Sequence, residues 1–365
     1  MVSSIGIRTR GRHSLYCRAM NADDPEHASP ERPVGPVTEP AVAAAGARER
    51  SPADNIPEGA AILTTSGPLT LERAIRLAAA AFDAAQIAYG HGTDNAIDEA
   101  SWLLLETLGL SAAIEPDYSR ELDRDERERC ERALRRRVVD RVPTAYLVGT
   151  AWFAGHEFLS DARALVPRSP LAELIVEDFF GLLEDRDAPR VLDLCTGGGC
   201  IAVAAALAAE DALVDGSDIS AEALSLAREN VARHGVGDRV RLLEGSLFEP
   251  VTGTYDLILS NPPYVDAADV RDMPAEFGHE PLLGLAAGAD GLDLVRRMLF
   301  EAAAHLTDGG SLVVEVGNSA EAVGRTWPEV PFAWLEFASG GEGVFLIDRD
   351  TLIAHRERFT RTLSA

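Results

Sequence analysis

The run Asn261-Pro262-Pro263-Tyr264 is the part of this 365-residue chain whose composition most clearly implies chemistry. A planar amide or exocyclic amino nitrogen is a poor nucleophile, because its lone pair is delocalised into the adjoining π system. Two acceptors, the Asn261 side-chain oxygen and the Pro262 backbone carbonyl, can hold its two N–H groups. They orient it towards an electrophilic methyl group and stabilise positive charge as it develops. Proline suits the position because its fixed φ and missing N–H leave a rigid loop that offers carbonyls, and Pro263 continues that loop. Tyr264 supplies a flat face for a planar group. No general base is required before transfer, since the proton can leave once the nitrogen is cationic. The plainer alternative is a Pro-Pro turn that only ends a strand.

Upstream, Asp193-Leu194-Cys195-Thr196-Gly197-Gly198-Gly199 runs from an apolar strand into a helix. A turn of this kind, with Thr196, Gly197 and Gly199, lets the backbone approach a ligand closely. Asp193, at the strand end, is placed to face a cationic amino group. Asp218 follows at about the 20-residue spacing at which a carboxylate accepts ribose hydroxyls. The glycines fit the dinucleotide spacing poorly. Gly245-Ser246-Leu247-Phe248 should edge an adenine pocket, through Ser246 and Leu247. Many enzymes of this kind place a carboxylate near Ser246 to read the adenine amino group. Here only a hydroxyl stands there, so adenine recognition would rest on backbone groups and apolar packing. Asn261 borders both ligands. A nucleoside with a cationic amino group and a methyl to donate is S-adenosylmethionine.

The elements that must position these residues read as an α/β chain. Val191–Leu194, Leu213–Ser217, Val240–Leu243, Tyr255–Leu259 and Ser311–Val316 read as strands. Helices alternate with them: Cys200–Ala209, Ala221–His234 capped by Ser220, and Leu292–Leu306. Trp334–Ala338 and Val344–Ile347 close the chain as a hairpin across Gly340–Gly343. Alternation of this kind predicts a seven-strand Rossmann-like sheet with helices on both faces.

Earlier, Leu71, Ala74, Ile75, Ala78 and Phe82 recur at helix spacing, with Gly90 as a stop. Further helices start near Asp94 and span Asp123–Arg141. Residues 66–145 thus read as a helical bundle. Residues 146–168 read as a hairpin linker around Ala154-Gly155-His156, and a helix runs from Leu171 to Leu183. Residues 169–365 read as the methyltransferase domain. Residues 1–65 lack periodicity and are expected to be disordered. The stretch through Arg18 faintly resembles a transit peptide, an over-extended start with Met20 as initiator being the simpler account.

The net charge of −25 comes from 59 acidic against 34 basic residues, and every basic residue is arginine. That balance argues against binding a phosphate backbone and favours a basic protein partner, unless it is only a compositional bias. No apolar run approaches the roughly 20 residues that span a bilayer. Cys17, Cys130, Cys195 and Cys200 show neither disulfide nor zinc spacing, which fits a reducing cytoplasm and no metal.

On these motifs the chain resembles the HemK-type protein-glutamine methyltransferases over roughly residues 70–350. It is most similar to the branch, often called PrmB, that modifies the large-subunit ribosomal protein L-three. The local evidence is Pro167-Arg168-Ser169-Pro170-Leu171-Ala172-Glu173-Leu174-Ile175, Asp193–Cys200, and His279-Glu280-Pro281 before Ala287–Leu294. The family usually has serine at Gly198 and aspartate at Ser246. The resemblance implies methyl transfer from S-adenosylmethionine to a glutamine amide of that basic protein, with the helical bundle selecting it. Rival readings are the same reaction on peptide-release factors, adenine methylation in nucleic acid, and a non-catalytic ribosome-assembly factor. Adenine methylation needs a basic groove that is missing here. His156 and His279 are assigned no catalytic part.

Overall fold

The computed structural model describes residues 61–110, 116–266 and 269–363. The expectations for residues 1–60, with Met20 and Cys17, lie outside them. Of the described residues, those within 61–87 and 94–140 form one unit, and those within 88–93 and 141–363 another.

The first unit holds α1 (Leu71–Ala84), α2 (Ala96–Leu108) and α3 (Arg124–Val138). The apolar stripe expected on α1 is fully buried, and Thr70 caps it by accepting from Arg73 N. Gly90 is not its stop. The helix ends at Ala84, where Ile87 N reaches back to Phe82 O and Gln86 takes the left-handed φ of 50°. This is the bond pattern that a glycine usually closes. Asp123 and Glu126 form a reciprocal capping box on α3. Arg137 and Glu99 make a fully buried ion pair at 2.7 Å. Within the stretch expected to lack order, Ile62 and Leu63 donate their N–H groups to Glu131.

The second unit opens with α4 (Thr144–Val148) and the hairpin of β1 (Thr150–Phe153) and β2 (His156–Leu159). Ala154 and Gly155 both have positive φ, the two-residue turn that matches strand twist. Next come α5 (Leu171–Val176), β3 (Arg190–Leu194), α6 (Cys200–Ala208), β4 (Leu213–Asp218), α7 (Ala221–His234), β5 (Val240–Glu244) and β6 (Tyr255–Ser260). The chain continues through α8 (Asp269–Asp272), α9 (Asp293–Glu301), β7 (Leu306–Glu315), α10 (Ala320–Thr326), β8 (Ala333–Trp334) and β9 (Val344–Asp348). It closes with α11 (Arg349–Ala354) and α12 (Arg356–Leu363).

The seven-strand sheet has the order β5-β4-β3-β6-β7-β9-β8. Its first five strands are parallel, and β9 runs antiparallel to both neighbours. Alternate residues of the central strands serve two cores. Leu192, Ile258, Leu312 and Val314 pack against α9 to α12, whereas Val191, Leu257, Leu259 and Val313 pack against α5 and α6. A sheet covered on both faces needs such unbroken apolar runs, and they are what the sequence pattern displays.

Further elements differ from expectation: the strand expected over Trp334–Ala338 covers only Ala333–Trp334. The helix expected to reach Leu183 ends at Val176, and Asp178, Phe179 and Phe180 take φ of 53°, 52° and 52°. That turn buries Phe179 completely in the α5 and α6 core. Likewise α9 stops at Glu301, so that Leu306 can pair with Tyr255 and His305 can stack on Phe248 at 4.6 Å.

After β3 the chain moves outward to β4 and β5, then returns to β6 on the other side of β3. Ligands of open α/β sheets bind at the strand ends beside such a reversal. The reversal brings together the loops after Leu194 and Ser260, pinned by Ser260 Oγ donating to Leu194 O at 2.8 Å.

Candidate active site

A cavity of about 790 Å³ opens at that reversal. Thr196, Gly197, Asp218, Ser246, Leu247 and the whole run Asn261–Tyr264 line it, whereas Asp193 and Gly199 do not. Gly199 answers a packing need: at φ +81°, its Cβ would come 3.0 Å from that of Ala227 on α7.

Asp193 lies behind the glycine loop, wholly buried. Its Oδ2 accepts from Thr196 Oγ1 at 2.5 Å and from Ala202 N at 3.1 Å, fastening the loop to the first turn of α6. Its Oδ1 is buried with no hydrogen-bond partner. Burial pushes the carboxyl up to about 7, against the opposing pull of those two hydrogen bonds. Asp218 ends β4, accepting Gly197 N on Oδ2 and Ser220 N on Oδ1, both at 2.8 Å. Burial raises its pKa as well. These residues fit an adenosyl sulfonium. There is an orphaned acceptor behind the loop for a cation, a carboxylate on the wall for a diol, and the apolar Leu247 beside the Ser246 hydroxyl.

On the opposite side, Asn261 Nδ2 donates to the backbone carbonyl of Arg168 at 3.2 Å. Among the described residues no donor reaches Asn261 Oδ1 or the Pro262 carbonyl. Both prolines are buried. The Tyr264 hydroxyl donates to Glu315 Oε1 at 3.1 Å, and its carbonyl accepts from Ser319 at 2.9 Å. The Tyr264 ring lies so close to Gly317 that a Cβ there would come within 2.6 Å of it.

Five residues hold this loop, and the sequence alone gave none of them a role. Glu280 is buried and grips the Arg168 guanidinium twice, at 2.8 and 2.7 Å, while accepting Val166 N at 3.0 Å. His91 Nε2 lies 3.5 Å from its Oε2. Burial pulls the Glu280 carboxyl upward, but the His91 ring beside it and the hydrogen bonds from Arg168 outweigh it and hold it at about 2. Ser169 Oγ donates to Glu315 Oε2 at 2.5 Å, so Glu315 clasps both Ser169 and Tyr264. Burial raises Glu315 and Tyr264. The usable signal was the pairing of two singled-out motifs: an arginine in Pro167–Ile175 and an acid beside His279.

His156 lies edge-on to His234, away from the cavity lining. Among the described residues no cluster of three His, Cys, Asp or Glu could hold a metal. No helix among them is long and apolar enough to cross a membrane.

Two family models match the chain: the methyltransferase small domain over residues 176–277 and the PrmC N-terminal domain over residues 74–149. A ribosomal protein uL3 glutamine methyltransferase of Xanthomonas campestris pv. campestris is 49% identical over 293 residues, covering 80% of this chain and 95% of that protein. One of the same name from Xylella fastidiosa (strain Temecula1) is 48% identical over 291 residues, covering 79% and 93%.

Proposed function

From the premise that the chain belongs to the ribosomal protein uL3 glutamine methyltransferase family, we propose that uL3 itself is its substrate and that the Asn261–Tyr264 run holds the glutamine. The enzyme transfers a methyl group from S-adenosylmethionine to the glutamine side-chain amide nitrogen. The observation that carries our reading is the Arg168 carbonyl on Asn261 Nδ2. It engages the donor end of the Asn261 amide and leaves Oδ1 free on the cavity wall.

Asn261 Oδ1 and the Pro262 carbonyl accept the two N–H groups of the substrate amide, and the Tyr264 ring lies against its plane. Both acceptors strengthen their hold as the nitrogen becomes positive, so they favour the transition state over the ground state. The nitrogen then sheds one proton to solvent. Tyr264, with its pKa raised and its hydroxyl spent on Glu315, keeps a neutral ring and serves as a surface. The bound cofactor supplies an electrophilic methyl on sulfur. Thr196, Gly197, Asp218, Ser246 and Leu247 bind it, and Asp193 and Gly199 shape the loop behind it.

We assign residues 66–145 to substrate selection, 146–168 to a linker and 169–365 to methyl transfer. Net charge −25 suits a basic ribosomal protein better than nucleic acid, in the cytoplasm where that protein is made. Incubation with labelled cofactor, unmethylated uL3 and a release factor, followed by peptide mapping, tests the assignment. Label on a uL3 glutamine is expected, and label on the release factor alone would refute it.

A further inference from the structure

Ser246 does not stand alone on the cavity wall. From α9, Arg297 Nη1 donates to its Oγ at 2.8 Å. A guanidinium has donors and no acceptor. The Ser246 oxygen is therefore the accepting partner, and its own proton is directed elsewhere. Glu249 and Glu301 lie 3.5 Å from the same guanidinium and keep it in place. Positive charge beside Oγ makes it a poorer acceptor for a second donor and a stronger donor itself, since hydrogen bonds in a chain polarise one another.

The sheet order says what this proton faces. Asn261 follows β6, the glycine loop follows β3, Asp218 ends β4, and Ser246 follows β5. In space the order is β5-β4-β3-β6. A nucleoside with its ribose at Asp218 and its reactive end towards Asn261 must lay its base on the β5 side, against Ser246 and Leu247. The amino group of adenine brings more donors to a site that already holds one. The ring nitrogens bring acceptors.

We propose that Ser246, polarised by Arg297, donates to a ring nitrogen of the adenine base and does not read the exocyclic amino group. This inverts the polarity that a carboxylate at this position would give, and it rests on the cavity being the S-adenosylmethionine site. An aspartate here would pair with Arg297 and accept from the amino group.

The test is affinity, read without turnover. Dissociation constants of S-adenosylhomocysteine and of its 6-desamino purine analogue are measured by calorimetry on the full chain and on its Ser246→Ala and Ser246→Asp variants. Loss of one donated hydrogen bond is worth roughly five- to tenfold. Ser246→Ala should therefore weaken both ligands by that factor and leave their ratio as in the parent chain. Ser246→Asp, which keeps a polar partner for Arg297, should create a preference of about tenfold for the amino-bearing ligand. A preference for the amino-bearing ligand in the parent chain that vanishes in Ser246→Ala overturns the proposal, as does a Ser246→Ala that changes neither affinity. If neither ligand binds the parent chain, the cofactor reading itself fails, which is a separate result.

Discussion

The backbone carbonyl of Arg168 accepts the Nδ2 proton of Asn261 at 3.2 Å, and this contact decides which way the amide faces. The other orientation would set two oxygens against each other with no proton between them. Arg168 is itself fixed, because both guanidinium arms end on Glu280. The orientation of the Asn261 side chain is thus settled by a chain of contacts that begins at a buried carboxylate.

Asn261→Ala should leave binding of S-adenosylhomocysteine within about threefold while lowering kcat at least a hundredfold, the scale of a lost transition-state acceptor. Asn261→Asp should do no better, since a carboxylate cannot donate to the Arg168 carbonyl. Rates at saturating cofactor and substrate check both, and a kcat within tenfold of the parent value would remove the assigned role.

Glu280→Gln should destabilise the protein by about 3 kcal/mol, as removing one partner of a buried ion pair does, measured by denaturant unfolding. The Glu280 carboxyl is held below its ordinary value of 4.5, at about 2. Its stabilising contribution is therefore complete above pH 4.5 and lost as pH falls towards 2. The gap between parent and variant should narrow across that window. A constant gap would mean that the carboxylate charge is not what matters.

At the tyrosine, Tyr264→Phe keeps the ring and should retain activity within about tenfold, while Tyr264→Ala loses the stacking face and should cost on the order of a hundredfold. Gly317→Ala is a separate probe. It adds a Cβ within 2.6 Å of the ring at φ +45° and should lower kcat more than it lowers affinity for the cofactor. Activity unaffected by the added methyl would show that ring placement is not critical.

Asp193 gives a pH signature. Its folded pKa of about 7 exceeds the ordinary 3.8, so the folded state keeps this proton longer than the unfolded chain does. The stability gained in this way is full below pH 3.8 and declines as pH rises to about 7. Without cofactor, Asp193→Asn should lack that decline. A cationic amino ligand favours the ionised carboxylate, so affinity for S-adenosylhomocysteine should rise as pH climbs through about 7 in the parent chain alone. Titrations in buffers of different ionisation enthalpy would show the released proton. Equal pH slopes in both proteins would separate Asp193 from the ligand.

The strands were legible because apolar runs such as Leu257–Leu259 and Leu312–Val314 have no polar alternation. The loops were legible because Gly197 and Pro262 are local signals. Glu280 and Arg168 were not, since their contact spans 112 positions and leaves no periodic trace. Glu315 was hidden at the end of a β-branched strand, where an acid looks like a solvent-facing terminus. Asp193 was read correctly as a strand-end carboxylate, but only packing shows that it sits behind the loop. Helices α11 and α12 escaped notice because Arg349–Leu363 is mostly polar and only Leu352 and Phe359 are buried.

Arg168 and Ser169 are neighbours along the chain, yet they grip different strands: the first holds the loop after β6 and the second holds the end of β7 through Glu315. One added residue lengthens a chain by roughly 3.3–3.6 Å, more than the reach of either bond. An insertion should therefore be tolerated poorly between these two positions, whatever residue type is used. Loop grafts or circular permutation aimed at a new substrate belong elsewhere on the molecule.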